Sequence, residues 1–410
     1  MKPEDQIIPR LKKIISENSD KIEDWFGNTF KSTAPLFYNS VDLRHSGFKL
    51  APVDTNMFPA GFNNLSPAER KNAVKISAQY LSKYYPDVRK IALITEDHTR
   101  NTYYLENIAI LSSILKDSGI EVVISNFKTC QEKEASTLKS HSGLDVSFVP
   151  FEKENDIIKS TDGFIPDMVL VNNDLTDGAP ELIQNLKQPV IPPVGFGWYQ
   201  RKKTSHFDTY NNLARSFCRE FDLDPWLIST LFSHCGIVNF KEKKGIECVA
   251  RKVDKLLHNI QNKYNEYDIK EEPYVFIKSN RGTYGMGIMT AKSADDVLQM
   301  GRDIRKKMNT IKGGTLNTEV IIQEGVPTID KVNEHPAEPM MYMIGGQSVG
   351  CIYRLNTQRD SYNNLNSKGM EFASIKEHDN GRPICDTLNL VARLASYASA
   401  WECYEDSYNI

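Results

Sequence analysis

Three glycines between two apolar segments offer a place for a phosphate group. The stretch KSNRGTYGMGIMT (278–290) puts Gly282, Gly285 and Gly287 directly after YVFIK and directly before IMTAK. Glycine lets backbone N–H groups approach phosphate oxygens without side-chain obstruction, and Lys278 could add a point charge. The pattern is neither a Walker A motif nor a dinucleotide-binding fingerprint, because the Gly-Lys-Ser/Thr sequence and a following helix are both absent. On the glycines alone, a phosphate-binding loop and a plain hairpin with a flexible tip explain the pattern equally well.

A strand that ends in polar residues follows. TEVIIQEGVP (318–327) has an apolar run that closes with Gln323 and Glu324. A strand end of this kind could offer backbone groups to a purine edge and the Glu324 carboxylate to a ribose hydroxyl. Taken singly, the segment is better explained as an ordinary strand end.

The next segments add a cation and several oxygen donors. AEPMMYMIGGQSVGCIYRLNT (337–357) predicts two antiparallel strands joined by a Gly-Gly turn, with Arg354 on the second strand. The polar stretch QRDSYNNLNSKG (358–369) contains Asn364 and Asn366, and amide oxygens are ligands that Mg²⁺ accepts. As an isolated loop, it would more often be an exposed turn.

A polar constellation lies much earlier in the chain. SVDLRHSGFKLAPVDTNMFPAGFNNLSPAE (40–69) concentrates charged and amide side chains among Phe, Pro and Gly. A polar loop positioned by aromatic residues could hold both ends of an amino acid, with Arg for a carboxylate and Asp for an ammonium. Long loops inside compact domains are uncommon and often functional, so we favour a binding loop over an ordinary surface loop. The candidate substrate-binding residues here are Arg44, Asp54, Asn56, Asn63 and Asn64.

Two more polar clusters follow apolar strands. TEDHTRNTYY (95–104) follows KIALIT, and NNDLTDGAP (172–180) follows DMVLV. Ligands bind at the carboxyl ends of strands in open α/β sheets, although capping and turn roles explain these residues equally well. The basic run in WYQRKKTSHF (198–207) is predicted to be a solvated surface, with a substrate contact as the alternative. The candidate substrate-binding residues in these three segments are Arg100, Asn173, Asp174 and Arg201.

Alternating strands and helices must position these side chains. From about residue 88, KIALIT, EVVISNF, LDVSFVP, DMVLVNN and PVIPPV read as strands, with a helix over 102–119 that Gly119 ends and a helix-like ELIQNL before the last strand. This pattern predicts a mostly parallel sheet with helices on its faces. The Pro- and Gly-rich segment 189–200 suggests a boundary between an N-terminal α/β substrate domain (1–200) and a nucleotide-binding domain (201–410).

Composition and charge narrow the class of protein. The 410 residues carry a net charge of -3 and are 40% hydrophobic, which argues against a nucleic-acid binder and for an ordinary globular core. No apolar run is long enough to span a membrane, and no signal peptide is recognised. The seven cysteines form no CxxC pair, which favours reduced thiols and a cytoplasmic protein.

The order of the elements from 274 onward resembles the ATP-grasp fold, in which two α+β lobes hold ATP between antiparallel sheets. More specifically, VDLRHSGFKLAPVDTNMFPAGFNNL, NNDL, RKKTSHF, KSNRGTYGMGIMT, VIIQEGV, AEPMMYMI and NNLNSKGM resemble the proteobacterial-type glutamate–cysteine ligase family over about residues 20–400. The resemblance implies ATP-dependent ligation of the L-glutamate γ-carboxylate to the L-cysteine amine through a γ-glutamyl phosphate, the first step of glutathione synthesis. It allows for a homo-oligomer.

The resemblance also implies roles for the candidate residues. Lys278 and Arg354 would be catalytic and neutralise phosphate charge. The loops at 42–64 and at the strand ends would bind L-glutamate and L-cysteine. The ATP-binding residues would be Lys278, Gly282, Thr283, Tyr284, Gly285, Gly287, Gln323 and Glu324, and the Mg²⁺ ligands would be Glu338, Asn364 and Asn366.

Two alternatives remain open at the level of the sequence. One is another ATP-grasp carboxylate–amine ligase, such as a glutathione synthetase or a peptide ligase, because no residue pattern reads out a thiol. The other is a non-catalytic nucleotide sensor, against which the joint presence of Lys278, Arg354 and the asparagine-rich loop weighs.

Overall fold

The computed structural model describes residues 6–282, 287–309, 316–375 and 382–407, which form a mixed α/β structure with several sheets. The strands of the described residues are β1 Tyr38–His45, β2 Leu50–Asn56, β3 Lys90–Thr95, β4 Glu121–Asn126, β5 Ser136–Lys139, β6 Asp145–Phe148, β7 Phe151–Glu154, β8 Ile157–Ser160, β9 Met168–Asn172, β10 Val190–Ile191, β11 Phe232–Cys235, β12 Val275–Ser279, β13 Ile288–Ala291, β14 Val320–Glu324, β15 Lys331–Val332, β16 His335–Ile344, β17 Gln347–Asn356 and β18 Met370–Ser374. The α-helices are α1 Ile7–Glu17, α2 Ser19–Thr29, α3 Pro67–Tyr84, α4 Thr102–Asp117, α5 Phe127–Glu132, α6 Lys203–Glu220, α7 Ile246–Glu266, α8 Ala294–Leu298, α9 Arg302–Asn309 and α10 Arg382–Ser407.

A mostly parallel sheet occupies the middle of the first half of the chain. Its strand order is β10-β9-β3-β4-β6-β5, and only the pairing of β5 with β6 is antiparallel. The strands predicted at KIALIT and DMVLVNN are present as β3 and β9, and α4 packs its apolar side against them in one core. The helix-like ELIQNL forms only a short 3-10 turn, Glu181–Ile183, and it ends there because Gln184 is extended and Asn185 has a φ of 50°, neither of which continues a helix.

A six-stranded antiparallel sheet joins the two ends of the chain. Its order is β18-β17-β16-β1-β2, with β15 paired to β16, and Asp42 of β1 stands opposite Met340 of β16. The long polar loop predicted over 40–69 is therefore wrong for its first half, which forms the β1–β2 hairpin. Polar residues alternate with Val41 and Leu43 there, so the polar side chains share one face of a strand.

The two faces of this sheet pack against different parts of the protein. Val41, Met341 and Tyr353 point to one face, where they join a core that includes residues of α10. On the other face, the end near Tyr342 is covered by the core that contains α3 and α4. The opposite end of that face carries polar side chains that line a cleft, among them Asp42, Glu338 and Arg354.

A four-stranded antiparallel sheet with the order β11-β14-β12-β13 carries the glycine-rich segment. Lys278 of β12 pairs with Ile288 of β13, so the strands on both sides of the glycines form the expected hairpin. Gly282 and Gly287 have φ values of 110° and 62°, which L-residues with a side chain rarely adopt. Three other predicted contacts, Thr283, Tyr284 and Gly285, lie outside the described residues.

The domain boundary at residue 200 remains a prediction. Strands from both sides of this boundary nevertheless belong to the same sheet. Strands β1 and β2 precede the predicted boundary and yet belong to one sheet with β16, β17 and β18. In the described part of the chain, no helix is both long and apolar enough to cross a membrane.

Candidate functional site

A cavity lies between the six-stranded antiparallel sheet and the four-stranded sheet, and we call it the inter-sheet cavity. Both sheets contribute to its walls, and so does the asparagine-rich loop after β17. Its lining residues are Asp42, Arg44, Val53, Asp54, Lys203, Phe276, Lys278, Ser279, Gly282, Ile288, Glu338, Arg354, Asn364 and Asn366. Eight of these were predicted as site residues, and the fold brings them together: Arg44, Asp54, Lys278, Gly282, Glu338, Arg354, Asn364 and Asn366.

Two arginines and two carboxylates form a buried network on the floor of this cavity. Arg354 donates to Asp42 at 2.6 Å and to Glu338 at 3.1 Å, and Arg44 donates from Nε to the other Glu338 oxygen at 2.8 Å. Burial opposes the charged state of Glu338, but the two arginines prevail and lower its pKa. The pKa of Asp42 is raised because burial and the nearby Glu338 outweigh its pairing with Arg354. The network therefore holds two fixed positive charges against carboxylates in a site largely shielded from water.

Lys278 and Lys203 add two more cations. The Lys278 ammonium donates to the Gln323 side-chain oxygen at 2.8 Å and to the Val53 carbonyl at 3.1 Å. Burial lowers the pKa of Lys278 to about 8, although the nearby Asp54 carboxylate acts in the opposite direction. Lys203 holds both oxygens of Asp54, at 2.7 and 2.9 Å. These interactions point two ammonium groups at the same wall of the inter-sheet cavity.

The asparagine-rich loop contributes both backbone and side-chain oxygens. The Asn363 carbonyl accepts a hydrogen bond from Arg44 at 2.5 Å, which ties the loop to the floor of the cavity. The Asn364 side chain closes on the backbone of Asn366, whose N–H donates to it at 3.1 Å. Within the described residues, no group of three or more His, Cys, Asp or Glu side chains has the spacing of a metal site. Mg²⁺ usually takes only one or two protein carboxylates beside phosphate oxygens, so the Glu338 carboxylate and these amide oxygens suit it.

A second, larger cavity of about 1180 Å³ adjoins the first, and we call it the wide cavity. It extends from the six-stranded antiparallel sheet to the carboxyl edge of the mostly parallel sheet. Four residues, Asp42, Asp54, Arg354 and Asn366, line both cavities. The predicted substrate contacts that line it are Asp54, Asn56, Asn63, Asn64, Arg100 and Asp174.

The carboxyl edge of the mostly parallel sheet supplies charges that the sequence analysis did not single out. Glu96, Asp97 and Lys128 follow β3 and β4 and line the wide cavity together with Asp174. The Glu96 carboxylate accepts a hydrogen bond from the backbone N–H of Asp174 at 2.9 Å, which holds the ends of β3 and β9 together. Their position directly after predicted strands was the signal that could have identified them.

Some predicted residues serve the scaffold instead of lining either cavity. The Asn173 side chain is 8% exposed, donates to the Thr95 carbonyl at 3.1 Å and accepts from the Leu175 N–H at 2.9 Å, as a turn residue would. Arg201 pairs with Glu402 of α10 and with Thr55, with every contact between 2.8 and 3.1 Å. The contacts made by these two side chains are structural.

Glu324 and Gln323 are also engaged by the protein itself. The Glu324 carboxylate accepts from Lys49 at 2.6 Å and from the Trp226 indole at 3.0 Å, and it is 1% exposed. The Gln323 side chain connects Lys278 to Thr230. In this arrangement Glu324 has no oxygen open to a ribose, and Gln323 acts by holding Lys278 in place.

The prediction of a solvated basic run at 201–203 is wrong for Arg201 and Lys203, while the Lys202 side chain is 38% exposed. Arg201 and Lys203 are both 5% exposed, and Lys203 lies over the Trp198 ring at 4.1 Å. Both cations face carboxylates that come from distant parts of the chain, Glu402 and Asp54. No feature within the run itself distinguishes this environment from an exposed one.

Comparisons with known proteins match the chain over nearly its whole length. The family model described as GshA: Glutamate-cysteine ligase matches residues 12–403. A crystal structure from Methylobacillus flagellatus KT, of a protein assigned as a gamma-glutamylcysteine synthetase, aligns with a TM-score of 0.89 and 39% identity over 97% of this chain and 96% of that one.

More distant structures are also similar over much of the chain. A glutathione synthetase-like effector from Globodera pallida aligns with a TM-score of 0.39 and 10% identity over 85% of this chain and 78% of that one. D-alanyl-alanine synthetase A from Vibrio cholerae O1 aligns with a TM-score of 0.32 and 10% identity over 74% and 80%. At these scores neither likeness bears on fold or function. A search of curated protein sequences finds no match.

Proposed function

The chain belongs to the glutamate–cysteine ligase family and ligates glutamate to cysteine, and we propose that ATP binds in the inter-sheet cavity while both amino acids bind in the wide cavity. The observation that carries this assignment is the set of four residues that line both cavities, Asp42, Asp54, Arg354 and Asn366. A phosphoryl group must pass from the nucleotide to a substrate carboxylate, so the two sites must meet. They meet at a buried cation, Arg354.

The composition of the inter-sheet cavity supports a nucleotide. The two antiparallel sheets act in this proposal as the two lobes of an ATP-grasp-like fold. Phe276, Val53 and Ile288 supply apolar surface suited to a base, while Lys278 and Arg354 supply charge suited to phosphates. The glycine-rich hairpin between β12 and β13 extends from the strand that carries Lys278 and would cover the phosphates.

The composition of the wide cavity supports amino acids. Each free amino acid carries an ammonium and a carboxylate, and the edge of the mostly parallel sheet presents both complementary charges. Glu96 and Asp174 suit an ammonium, and Arg100 and Lys128 suit a carboxylate. Asn56 and the neighbouring amides can satisfy the remaining donors and acceptors.

The proposed reaction has two steps. A γ-carboxylate oxygen of glutamate attacks the terminal phosphorus of ATP, which forms γ-glutamyl phosphate and releases ADP. The amine of cysteine then attacks the γ-carbonyl carbon, the bond to the phosphate oxygen breaks, and the nitrogen loses a proton as the amide forms. Arg354 and Lys278 stabilise the charge that develops on the transferred phosphoryl group, because preorganised cations in a water-poor site are the largest source of such stabilisation.

Mg²⁺ is expected with ATP, and the residues present fit it. Glu338, Asn364 and Asn366 would hold the ion at the end of the inter-sheet cavity. When bound, it supplies further neutralisation of the phosphate charge. Both Glu338 oxygens already accept from arginines, so Mg²⁺ would have to share this carboxylate with Arg44 and Arg354.

The decisive experiment measures ligation directly. Purified protein is incubated with Mg-ATP, L-glutamate and L-cysteine, ADP release is followed, and the product is identified by mass. Lys278→Met should lower kcat by about 100-fold, since it removes a charge that acts on the transferred phosphoryl group. The matched control is Lys270→Met, because Lys270 is an exposed lysine that pairs with Asp268 just after the end of α7.

Three results would contradict the proposal. ADP release with glycine in place of cysteine would keep the reaction class and overturn the acceptor. Equal rates for Lys278→Met and Lys270→Met would overturn the phosphate role of Lys278. ATP binding without turnover for any amine would favour the nucleotide sensor.

A further inference from the structure

One end of the wide cavity is apolar, in contrast to the charged edge of the mostly parallel sheet. Met370 and Phe372 of β18 both line it, and each is 39% exposed, an unusually large fraction for such side chains. Met340 of β16 lines the same cavity two strands away, on the other side of Arg354, and is 4% exposed. Met370 and Phe372 thus form an apolar corner of an otherwise polar site, although the intervening Glu371 lines the cavity too.

The strand register places this corner beside the reacting groups. Phe372 stands opposite Arg354 on β17, and Met370 stands opposite Asn356 two residues along the same face. The Met340 sulfur accepts a hydrogen bond from Arg354 at 3.1 Å. A small side chain in this corner would therefore lie next to the arginine that both cavities share.

The chemistry of the corner matches only one of the groups that the reaction brings together. Glutamate is charged at both ends, and ATP carries its apolar base away from the phosphates. The thiol of cysteine is a weak hydrogen-bonding group that is polarisable and hydrophobic, and sulfur contacts aromatic rings and other soft groups favourably. A serine hydroxyl against Met370 and Phe372 would exchange contact with water for contact with apolar side chains, which costs free energy.

We propose that Met370 and Phe372 form the subsite for the cysteine side chain and discriminate a thiol from a hydroxyl. This inference rests on the proposed function and extends it, because it assigns the acceptor amino acid to the β18 end of the wide cavity. Glutamate then takes the charged edge formed by the ends of β3, β4 and β9. The two substrates meet at Arg354 from opposite ends.

Two other apolar side chains in the described part of the wide cavity pack against the protein itself. Tyr103 is 59% exposed, but its ring stacks on His141 with centroids 4.1 Å apart. Phe58 is 4% exposed and belongs to the core behind the mostly parallel sheet. Neither Met370 nor Phe372 lines the inter-sheet cavity, so their exposure is not explained by the nucleotide base.

The test compares three acceptor amines with the full-length protein: L-cysteine, L-2-aminobutyrate and L-serine. The methyl group of 2-aminobutyrate replaces the thiol with apolar surface of similar size. Phe372→Thr should lower kcat/KM for cysteine and for 2-aminobutyrate by about tenfold, as loss of an apolar contact does, and leave that for serine within about twofold. The KM values for glutamate and ATP should not change.

Two further variants keep the test interpretable. Phe372→Leu preserves an apolar surface and should retain the cysteine-to-serine ratio, which rules out an effect of any change in β18. Ile165→Thr alters an apolar residue that is 53% exposed just before β9, away from the cavity lining, and should change no parameter. Circular dichroism checks that each variant is folded.

The outcomes separate the two proposals. If wild-type protein ligates cysteine but Phe372→Thr lowers cysteine and serine equally, or raises the KM for glutamate instead, the thiol subsite is overturned and the proposed function stands. If wild-type protein ligates no cysteine, both are overturned. A cysteine-to-serine ratio that falls in Phe372→Thr and is restored in Phe372→Leu supports the subsite.

Discussion

Nucleotide affinity should fall as the pH rises, because the charge on Lys278 depends on its surroundings. The ammonium is 8% exposed and contacts the neutral oxygens of Gln323 and Val53. Burial is the largest cause of its lowered pKa, and the nearby cations Lys203 and Arg44 act in the same direction. An anion that enters the inter-sheet cavity must therefore meet a lysine that is only partly protonated at alkaline pH.

The pKa of about 8 sets the size of the effect. A lysine with that pKa is about three-quarters charged at pH 7.5 and about 3% charged at pH 9.5. If only the charged form binds phosphate tightly, the Kd should rise about 25-fold over this interval. A lysine with the ordinary pKa near 10.4 would lose little charge over the same range, and the Kd would change by about 10%.

Calorimetric titration with a non-hydrolysable ATP analogue and Mg²⁺, in the absence of amino acids, measures this directly. The interval from pH 7.5 to 9.5 avoids the second ionisation of phosphate near pH 6. Lys278→Arg keeps its charge throughout and should show a nearly constant Kd. A flat profile for the wild-type protein, or the same slope in Lys278→Arg, would refute the assignment of Lys278 as the phosphate-binding cation.

Three further predictions concern buried ion pairs. Glu324→Gln should lower the free energy of unfolding by about 3 kcal/mol, because it leaves Lys49 buried without its carboxylate. The double variant with Lys49→Met and Glu324→Gln should recover part of this loss, and urea unfolding measures both. An increase in the KM for ATP in that folded double variant would show that Glu324 also meets the nucleotide. Arg354→Lys should lower kcat about 100-fold and also lower the free energy of unfolding, since lysine cannot hold the buried Asp42 and Glu338 carboxylates in the same fork, and an unchanged rate of ADP release in folded protein would contradict this role. Glu402→Gln should destabilise by about 3 kcal/mol because it leaves Arg201 unpaired, while the KM for glutamate stays constant in protein that remains folded.

Strands with continuous apolar runs could be predicted from the sequence because burial on both faces dictates their composition. β3 and β9 are of this kind, and their bounds agree closely with the predicted segments. The Gly-Gly turn between β16 and β17 could also be predicted, because tight hairpins require residues that adopt positive φ. Gly345 and Gly346 both have positive φ in the structure.

The β1–β2 hairpin lies where a loop is predicted, because a high density of polar residues is typical of loops and also of strands with one polar face. SVDLRH alternates polar and apolar residues, which is the signature of a strand with one face buried and one face in a polar site. The pairing of β1 with β16 could not be predicted from this pattern, because about 300 residues separate Asp42 from Met340. The alternation alone does not say which strand is the neighbour.

The same distinction between local patterns and distant pairing applies to the site residues. Lys278 and Arg354 could be identified because each stands at a local landmark, a glycine-rich turn or a hairpin strand. Lys203 could not be identified, since its carboxylate partner, Asp54, lies on a strand about 150 residues earlier in the chain. Arg201 was selected for its charge and proves to be held by Glu402 of the last helix, a partner that only the tertiary fold reveals.

The pairing of charges in the inter-sheet cavity explains how the site can be stable before a nucleotide binds. Of the four cations that line it in the described residues, Arg44, Arg354 and Lys203 each hold a carboxylate, and an unpaired buried charge would cost several kcal/mol. Lys278 differs because both of its partners are neutral oxygens, so its charge is the least stabilised of the four. An incoming phosphate would supply the missing anion and raise the pKa of Lys278, whereas the other three cations would have to exchange or share a carboxylate. Lys278 is therefore the cation whose protonation should change most when ATP binds, and proton uptake at pH 8.5 should be measurable in the wild-type protein and absent in Lys278→Arg.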